Sequence, residues 1–391
     1  GRTKNSARNS ARYFRCGNTG PGLGKQCPFL PQYRPTGKKA SCRRGRFILV
    51  KAPELPLKTE EKQPCPTAWE AIHTESCMIH VSGSLAFDRI MTFPGHFEDH
   101  ILPEKLHILN VSFPIDRLEE KMGGTAGNIA YSLALLNERS AVYGTVGKDF
   151  EGYGRRLAAM GIDLDGVKID DDDFTACCYI MTDRSSNQIN AFSPSAMKTP
   201  AFPEKTPSVN SGDWGLVAPG NVDDMVNLPA FYREHGIPYI FDPGQQITVL
   251  GGEQLTAGLT GAHVLIGNDY EVERIEKLTG LSREALLDRV EFLIVTFGGK
   301  GSVILHKDAN PYEVPAVPIG HVSDPTGAGD AYRAGLLKGL HSGMGMAFSA
   351  RLGTVTASFC VEQYGTQLHT FTPEEFQARY ESCFGPMPVL N

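Results

Sequence analysis

From Met78 onward the apolar positions of the chain fall into two alternating rhythms. Runs such as MIHVSGSLAFD (78–88), WGLVAPG (214–220), PYIFDPG (238–244), AHVLIGND (262–269) and EFLIVTFGGKG (291–301) open with nearly continuous apolar residues and close on Gly, Pro, Asn or Asp. That is how a strand buried on both faces reads when it ends in a loop. Between them GNIAYSLALLNE (127–138), FEGYGRRLAAMGI (150–162), NLPAFYREHG (227–236) and YEVERIEKLTG (270–280) space their apolar residues as one face of a helix. SAVYGTVGKD (140–149) and SVILHK (302–307) add strands, and the final part is helical over 329–342 and 346–363. Repeated strand–helix units predict an α/β fold, a doubly wound and mostly parallel sheet with helices on both faces. Ligands on such sheets bind beyond the carboxyl ends of the strands, where most of the glycine and acid clusters fall.

Two stretches break the rhythm. KLHILNVSFPIDRL (105–118) and TACCYIMTDRSSNQINAFS (175–193) alternate apolar and polar residues with no helix following. They predict antiparallel strands of a small second sheet projecting from the body, or else an edge hairpin.

Composition divides the 391 residues at the same place. Residues 1–77 carry 15 Lys and Arg against 5 Glu and no Asp; the remainder carries 23 against 39 acidic residues. The basic leader lacks apolar periodicity and is broken by Gly and Pro. It reads as a nucleic-acid arm, an organelle targeting segment, or a non-native extension. The last is favoured because no methionine precedes Met78, which directly precedes the first strand. The body is then 78–391. No run approaches the ~18 apolar residues of a membrane helix. Five of nine cysteines lie in the leader and none sits at CxxC spacing, which argues against zinc. Cys177 and Cys178 fall in an apolar strand-like run and read as core filler, so the body reads as a reduced, cytoplasmic protein.

Four constellations carry candidate chemistry. In SDPTGAGDAYRAG (323–335), Gly327 and Gly329 permit a turn whose amides, with Ala328 and the start of a helix, form an anion cradle. Asp330 beside that cradle suits a general base for a hydroxyl attacking a phosphate; Asp324 or Asp330 as a helix N-cap is the plainer alternative. VTFGGKG (295–301) offers Thr296, Gly298 and Gly301 as a second phosphate-approaching loop, or a hairpin turn. GNDYE (267–271) offers Asn268, Asp269 and Glu271 as oxygen ligands for hydrated Mg²⁺ beside phosphates, or as helix caps. GGTAGNIA (123–130) offers Gly124 for close approach and Asn128 for paired donor and acceptor groups. With Asp88 it suits sugar hydroxyls, although Asp88 alone reads as a turn residue.

In this order the motifs resemble those of the PfkB, or ribokinase-like, family of carbohydrate and nucleoside kinases, over residues 78 to about 385. GGTAGN is similar to the family's N-terminal signature and DPTGAGDAYRAG to its C-terminal one, with Tyr332 in place of the usual Phe. GSLAFDRIMTFPGHFEDHILPEKLHILNVSF and DPGQQ (242–246) are most similar to the bacterial-type adenosine kinases of that family. The resemblance implies a ribokinase-like fold with a β-sheet lid over the substrate, near 105–118 and 175–193, which pairs two subunits in a homodimer. It implies Asp330 as the base for the 5′-hydroxyl and Gly327, Ala328 and Gly329 as the anion hole. Asn268 and Glu271 would organise Mg²⁺ and phosphates, Glu271 through water. Thr296, Gly298 and Gly301 would contact ATP; Ser84, Asp88, Gly124 and Asn128 would hold the ribose. Gln246, Phe113 and Phe192 would meet the base, the two aromatics being equally placed to form lid core. Asp324 and Thr326 are candidate neighbours of a K⁺ ion.

The expected activity is ATP-dependent phosphorylation of adenosine to AMP. The rivals are a sugar kinase of the same fold, which DPGQQ and the long lid disfavour, and a catalytically dead scaffold, which the intact Asp330 and its glycines disfavour. Neither membrane nor nucleic acid is expected as a partner of the body.

Overall fold

The computed structural model describes residues 77–388 except 109, and of 104–106 the backbone alone. The readings of residues 1–76 therefore lie outside the described residues. In chain order the elements begin with β1 (Ile79–Ser82), β2 (Ala86–Thr92), β3 (Arg117–Gly123), α1 (Thr125–Leu135), β4 (Ser140–Gly147) and α2 (Glu151–Ala159). Then come β5 (Val167–Asp170), β6 (Ala176–Thr182), β7 (Gln188–Ser193), β8 (Trp214–Val217), α3 (Val222–Glu234), β9 (Tyr239–Phe241) and α4 (Gly252–Leu259). The C-terminal part holds β10 (Val264–Asn268), α5 (Asp269–Thr279), α6 (Arg283–Leu287), β11 (Phe292–Thr296), β12 (Ser302–His306), β13 (Ala309–Val314), α7 (Ala328–His341), α8 (Met346–Val361) and α9 (Pro373–Phe384).

Nine strands form one sheet in the order β13-β12-β11-β10-β9-β8-β1-β4-β5. From β11 to β5 all neighbours are parallel; β12 and β13 add antiparallel strands at one edge. Both faces are covered, which is why the strands read as unbroken apolar runs. Val264, Ile266 and Ile294 pack with α1, α7 and α8 on one side, while Leu265, Leu293 and Val295 pack with α3 to α6 on the other. Helix ends follow their local chemistry. Asn268 and Glu271 close a capping box at the start of α5, and Gly280, at φ 69°, ends it. No described helix is long and apolar enough to cross a membrane.

The second sheet has four strands in the order β3-β2-β6-β7. Two expectations are corrected here. MIHVSGSLAFD is not one strand: the chain leaves the large sheet after Ser82 and re-forms as β2 in the small one, paired with β3 and β6. Nor is 105–118 a lid strand. Pro103–Ile108 is a 3₁₀ turn, and strand pairing begins only at Arg117. Pro103 and Pro114 lack the amide hydrogens a ladder needs, and Phe113 turns its ring onto Phe93 and Phe97, at 5.0 and 5.3 Å between centroids. The missing strands come from β2 and β3 instead. The stretch 175–193 does form a hairpin, β6 antiparallel to β7.

Candidate active site

The parallel strands β1, β8, β9, β10 and β11 point their carboxyl ends at one place, and the residues at or just beyond those ends line a cavity of about 1040 Å³. Ser84 follows β1, Pro219 follows β8, Asp242 follows β9, Asn268 ends β10 and Thr296 ends β11; the small sheet contributes Asp88, Cys178 and Phe192 from above. A second cavity of about 490 Å³, with Val317, Ile319, Val322, Tyr332 and Val361 among its walls, lies on the other side of the α7 N-terminus. The two share Thr296, Gly298 and Gly329.

Between them sits the turn into α7. Gly327 takes φ 80°, a left-handed conformation that a side chain disfavours. The amide of Ala328 donates to Pro325 O at 3.2 Å, whereas those of Gly327, Gly329 and Asp330 have no partner among the described residues. The amides open to an anion are thus those of Gly327, Gly329 and Asp330, with the helix dipole behind them, and Ala328 lines the smaller cavity instead.

The capping alternative separates the two aspartates. Asp324 is structural: Oδ1 accepts from Thr326 N at 2.9 Å and Oδ2 from Gly365 N at 3.1 Å. Asp330 caps nothing. It lines the larger cavity only, and its Oδ2 accepts from Asn128 Nδ2 at 2.8 Å. Crowding by surrounding protein raises its pKa to about 7, against the Asn128 hydrogen bond and nearby Arg333, which favour the ionised form. A carboxylate near neutrality beside a cavity is suited to taking a proton from a hydroxyl.

The Asp88 side chain has no hydrogen-bond partner among the described residues and borders the same cavity. Burial pushes its pKa to about 6 despite Lys121, with Asp324 adding to the rise. Ser84 is committed to structure. Its Oγ accepts from Thr125 N at 3.0 Å and lies 3.2 Å from Thr125 Oγ1, which donates to Pro219 O. Gln246 lines the cavity with Nε2 donating to Gly220 O at 2.6 Å. Gly124 and Phe192 also line it, whereas Phe113 does not; it belongs to the aromatic cluster of the small sheet, a correction to its reading as a base contact. Gly298 and Thr296 border both cavities and Gly301 the smaller.

Asn268 and Glu271 line the cavity as a capping pair, Asn268 N donating to Glu271 Oε2 and Glu271 N to Asn268 Oδ1, each at 2.8 Å. No cluster of three or more His, Cys, Asp or Glu side chains arranged for a metal exists among the described residues. Glu271 Oε1, with no partner among the described residues and at the cavity wall, fits Mg²⁺, which keeps its waters and rides on phosphates.

One charged pair was not singled out in the sequence. Arg333, a turn beyond Asp330, is buried with Asp242, its Nη2 donating to Oδ1 at 2.9 Å and its Nε paired with Oδ2. The signal was present: Arg333 lies three residues from Asp330 on one helix face, and DPGQQ opens with the partner.

A family model described as pfkB family carbohydrate kinase matches residues 90–373. A nucleoside kinase of Methanocaldococcus jannaschii is 34% identical over 281 residues, covering 71% of this chain and 91% of that protein. The solved structure of Burkholderia thailandensis nucleoside kinase in complex with ADP-inosine is 36% identical, with TM-score 0.69, covering 80% of this chain and 98% of that one. Thermotoga maritima ribokinase shares the fold at 20% identity and TM-score 0.64, over 78% of this chain and all of that one.

Proposed function

The chain belongs to the pfkB family of carbohydrate kinases, phosphotransferases with an alcohol acceptor, and from that premise we propose that it transfers the γ-phosphoryl group of ATP to the 5′-hydroxyl of a nucleoside, adenosine first among them. The reading is carried by one observation: two cavities meet at the start of α7, and Asp330 borders only the larger. A nucleoside in the larger cavity sets its ribose against Asp88 and its base towards Phe192 and Gln246. The purine of ATP occupies the smaller, apolar cavity, so its phosphates run across Gly298 and Gly329 to meet the acceptor. The similar nucleoside kinases, one of them with bound ADP-inosine, support this assignment.

Transfer needs positioning and charge stabilisation more than covalent chemistry. Asp330 takes the 5′-hydroxyl proton as the oxygen attacks. The Gly329 and Asp330 amides receive charge on the phosphoryl oxygens, and Arg333 holds a fixed positive charge one turn away. Glu271 would hold Mg²⁺ through water, where the ion would neutralise charge on the phosphates.

The test is an acceptor panel of adenosine, inosine, guanosine, ribose and fructose with ATP, read by ADP release. A purine nucleoside should give the highest kcat/KM, with adenosine leading. Ribose or fructose leading the panel would make the chain a sugar kinase and refute the reading.

A further inference from the structure

One carbonyl oxygen in the small-sheet strand β3 determines the direction of a chain of hydrogen bonds that ends on Asp330. Gly123 O accepts from Tyr153 Oη at 2.8 Å. A carbonyl can only accept, so the single Tyr153 hydroxyl proton is spent there, and the oxygen can only accept from its next neighbour. That neighbour is Gln367, at 2.6 Å, which must therefore turn its NH₂ towards the tyrosine. The same Nε2 lies 3.0 Å from Asn128 Oδ1. With its oxygen facing Gln367, the Asn128 amide turns its own NH₂ to Asp330, at 2.8 Å. Reversing any one amide places two acceptors face to face.

We propose that Gln367 and Tyr153 are positioning residues that fix which end of the Asn128 amide faces Asp330, and so hold Asp330 in the form that accepts a proton.

The surroundings are built for this. Gln367 is only 2% exposed, and its Oε1 has no partner among the described residues, so the amide is held by its NH₂ end. A buried acceptor left unsatisfied is costly, and the network tolerates it. The backbone of Gln367 is clamped by Arg156 Nη2, which donates to its carbonyl at 2.7 Å. Gly127 makes room: a Cβ there would stand 1.9 Å from Tyr153 Oη, which accounts for the second half of the GGTAGN motif. Asn128, expected to hold ribose, thus has its Oδ1 and one amide proton already engaged, leaving one proton for a substrate.

The inference rests on Asp330 being the base proposed above. Its test is the pH profile of kcat/KM for the nucleoside at saturating ATP, comparing wild type with Gln367→Met, which keeps the volume and removes the amide. Freed from Gln367, the Asn128 amide can present its oxygen to Asp330, which favours the protonated acid. The other groups around Asp330 stay in place: Arg333 on its own helix, Asp242, Tyr153 and Cys360 from the elements packed against it, Glu271 beyond Arg333, and Asp88 across the cavity. The acid limb should move up by roughly one pH unit, a loss of about tenfold below the limb that closes on the alkaline side. Tyr153→Phe, which frees Gln367 to turn over, should move the limb the same way by less, and it gives the reading if Gln367→Met does not fold. A limb coincident with wild type, or a loss equal at every pH, overturns the proposal. If Asp330→Asn is inactive while the Gln367→Met limb stays put, the relay alone is wrong; if Asp330→Asn stays active, the assignment of the base is wrong.

Discussion

At the scale of single residues, two carboxylates share the larger cavity, and the proposed function gives them different duties. Asp330 has a pKa raised to about 7, so the fraction able to take a proton falls as pH drops through neutrality. kcat/KM should therefore rise with pH along a limb centred near 7 and level off above it; a profile flat from about pH 5 to 8 would contradict a base at Asp330. Asp88, whose side chain has no hydrogen-bond partner among the described residues, binds hydroxyls in the proposed reading rather than reacting. Asp88→Asn should raise the nucleoside KM by roughly ten- to a hundredfold, the worth of one or two hydrogen bonds to a charge, with kcat changed far less. Steady-state kinetics separate the two effects. Arg333→Met poses a different question, because it strands Asp242 in the core without its partner. Breaking a buried pair costs about 3–5 kcal/mol, and urea denaturation should show that loss. Glycine placement was legible at this scale, since Gly327 does adopt the left-handed turn its motif suggested. The amide count was not: Pro325 captures the Ala328 N–H, a contact that no spacing announces.

At the scale of elements, the apolar runs identified the buried strands because a doubly covered sheet demands unbroken hydrophobicity. The failures have physical causes too. Nothing in MIHVSGSLAFD marks the crossing between sheets except the small residues Gly83 and Ser84. The alternation in KLHILNVSFPIDRL mimicked a strand because Phe113 packs sideways into an aromatic cluster rather than onto a sheet face. The five-residue helix α6 is too short to show a period. Two substitutions separate cluster from cavity. Phe113→Ala should lower the melting temperature while leaving the nucleoside KM within about twofold. Phe192→Ala should raise that KM by roughly three- to tenfold, the worth of one aromatic contact. The same KM response to both changes would mean that Phe113 reaches the base after all.

At the scale of the whole molecule, the site exists only because residues more than 200 positions apart converge. Asn128 meets Asp330 and Gln367 within one network. The motif order in the sequence made the fold and the reaction class legible, but Gln367 and Tyr153 stood outside every motif, because their roles depend on the polarity of a hydrogen-bond chain closed in three dimensions. The edges of the small sheet also carry exposed Leu118 on β3 and Ile189 and Phe192 on β7. Pairing of two such sheets in a homodimer remains our proposal. Sedimentation should show a dimer that Leu118→Lys with Ile189→Lys converts to monomer; a monomeric wild type would dismiss it. The most direct measurement of the whole reading is the turnover of adenosine and ATP by Asp330→Asn beside calorimetric binding of adenosine to the same protein. A fall in kcat of roughly 10²–10⁴-fold, with the Kd for adenosine within a few fold of wild type, is expected. A variant that turns over at the wild-type rate would contradict it.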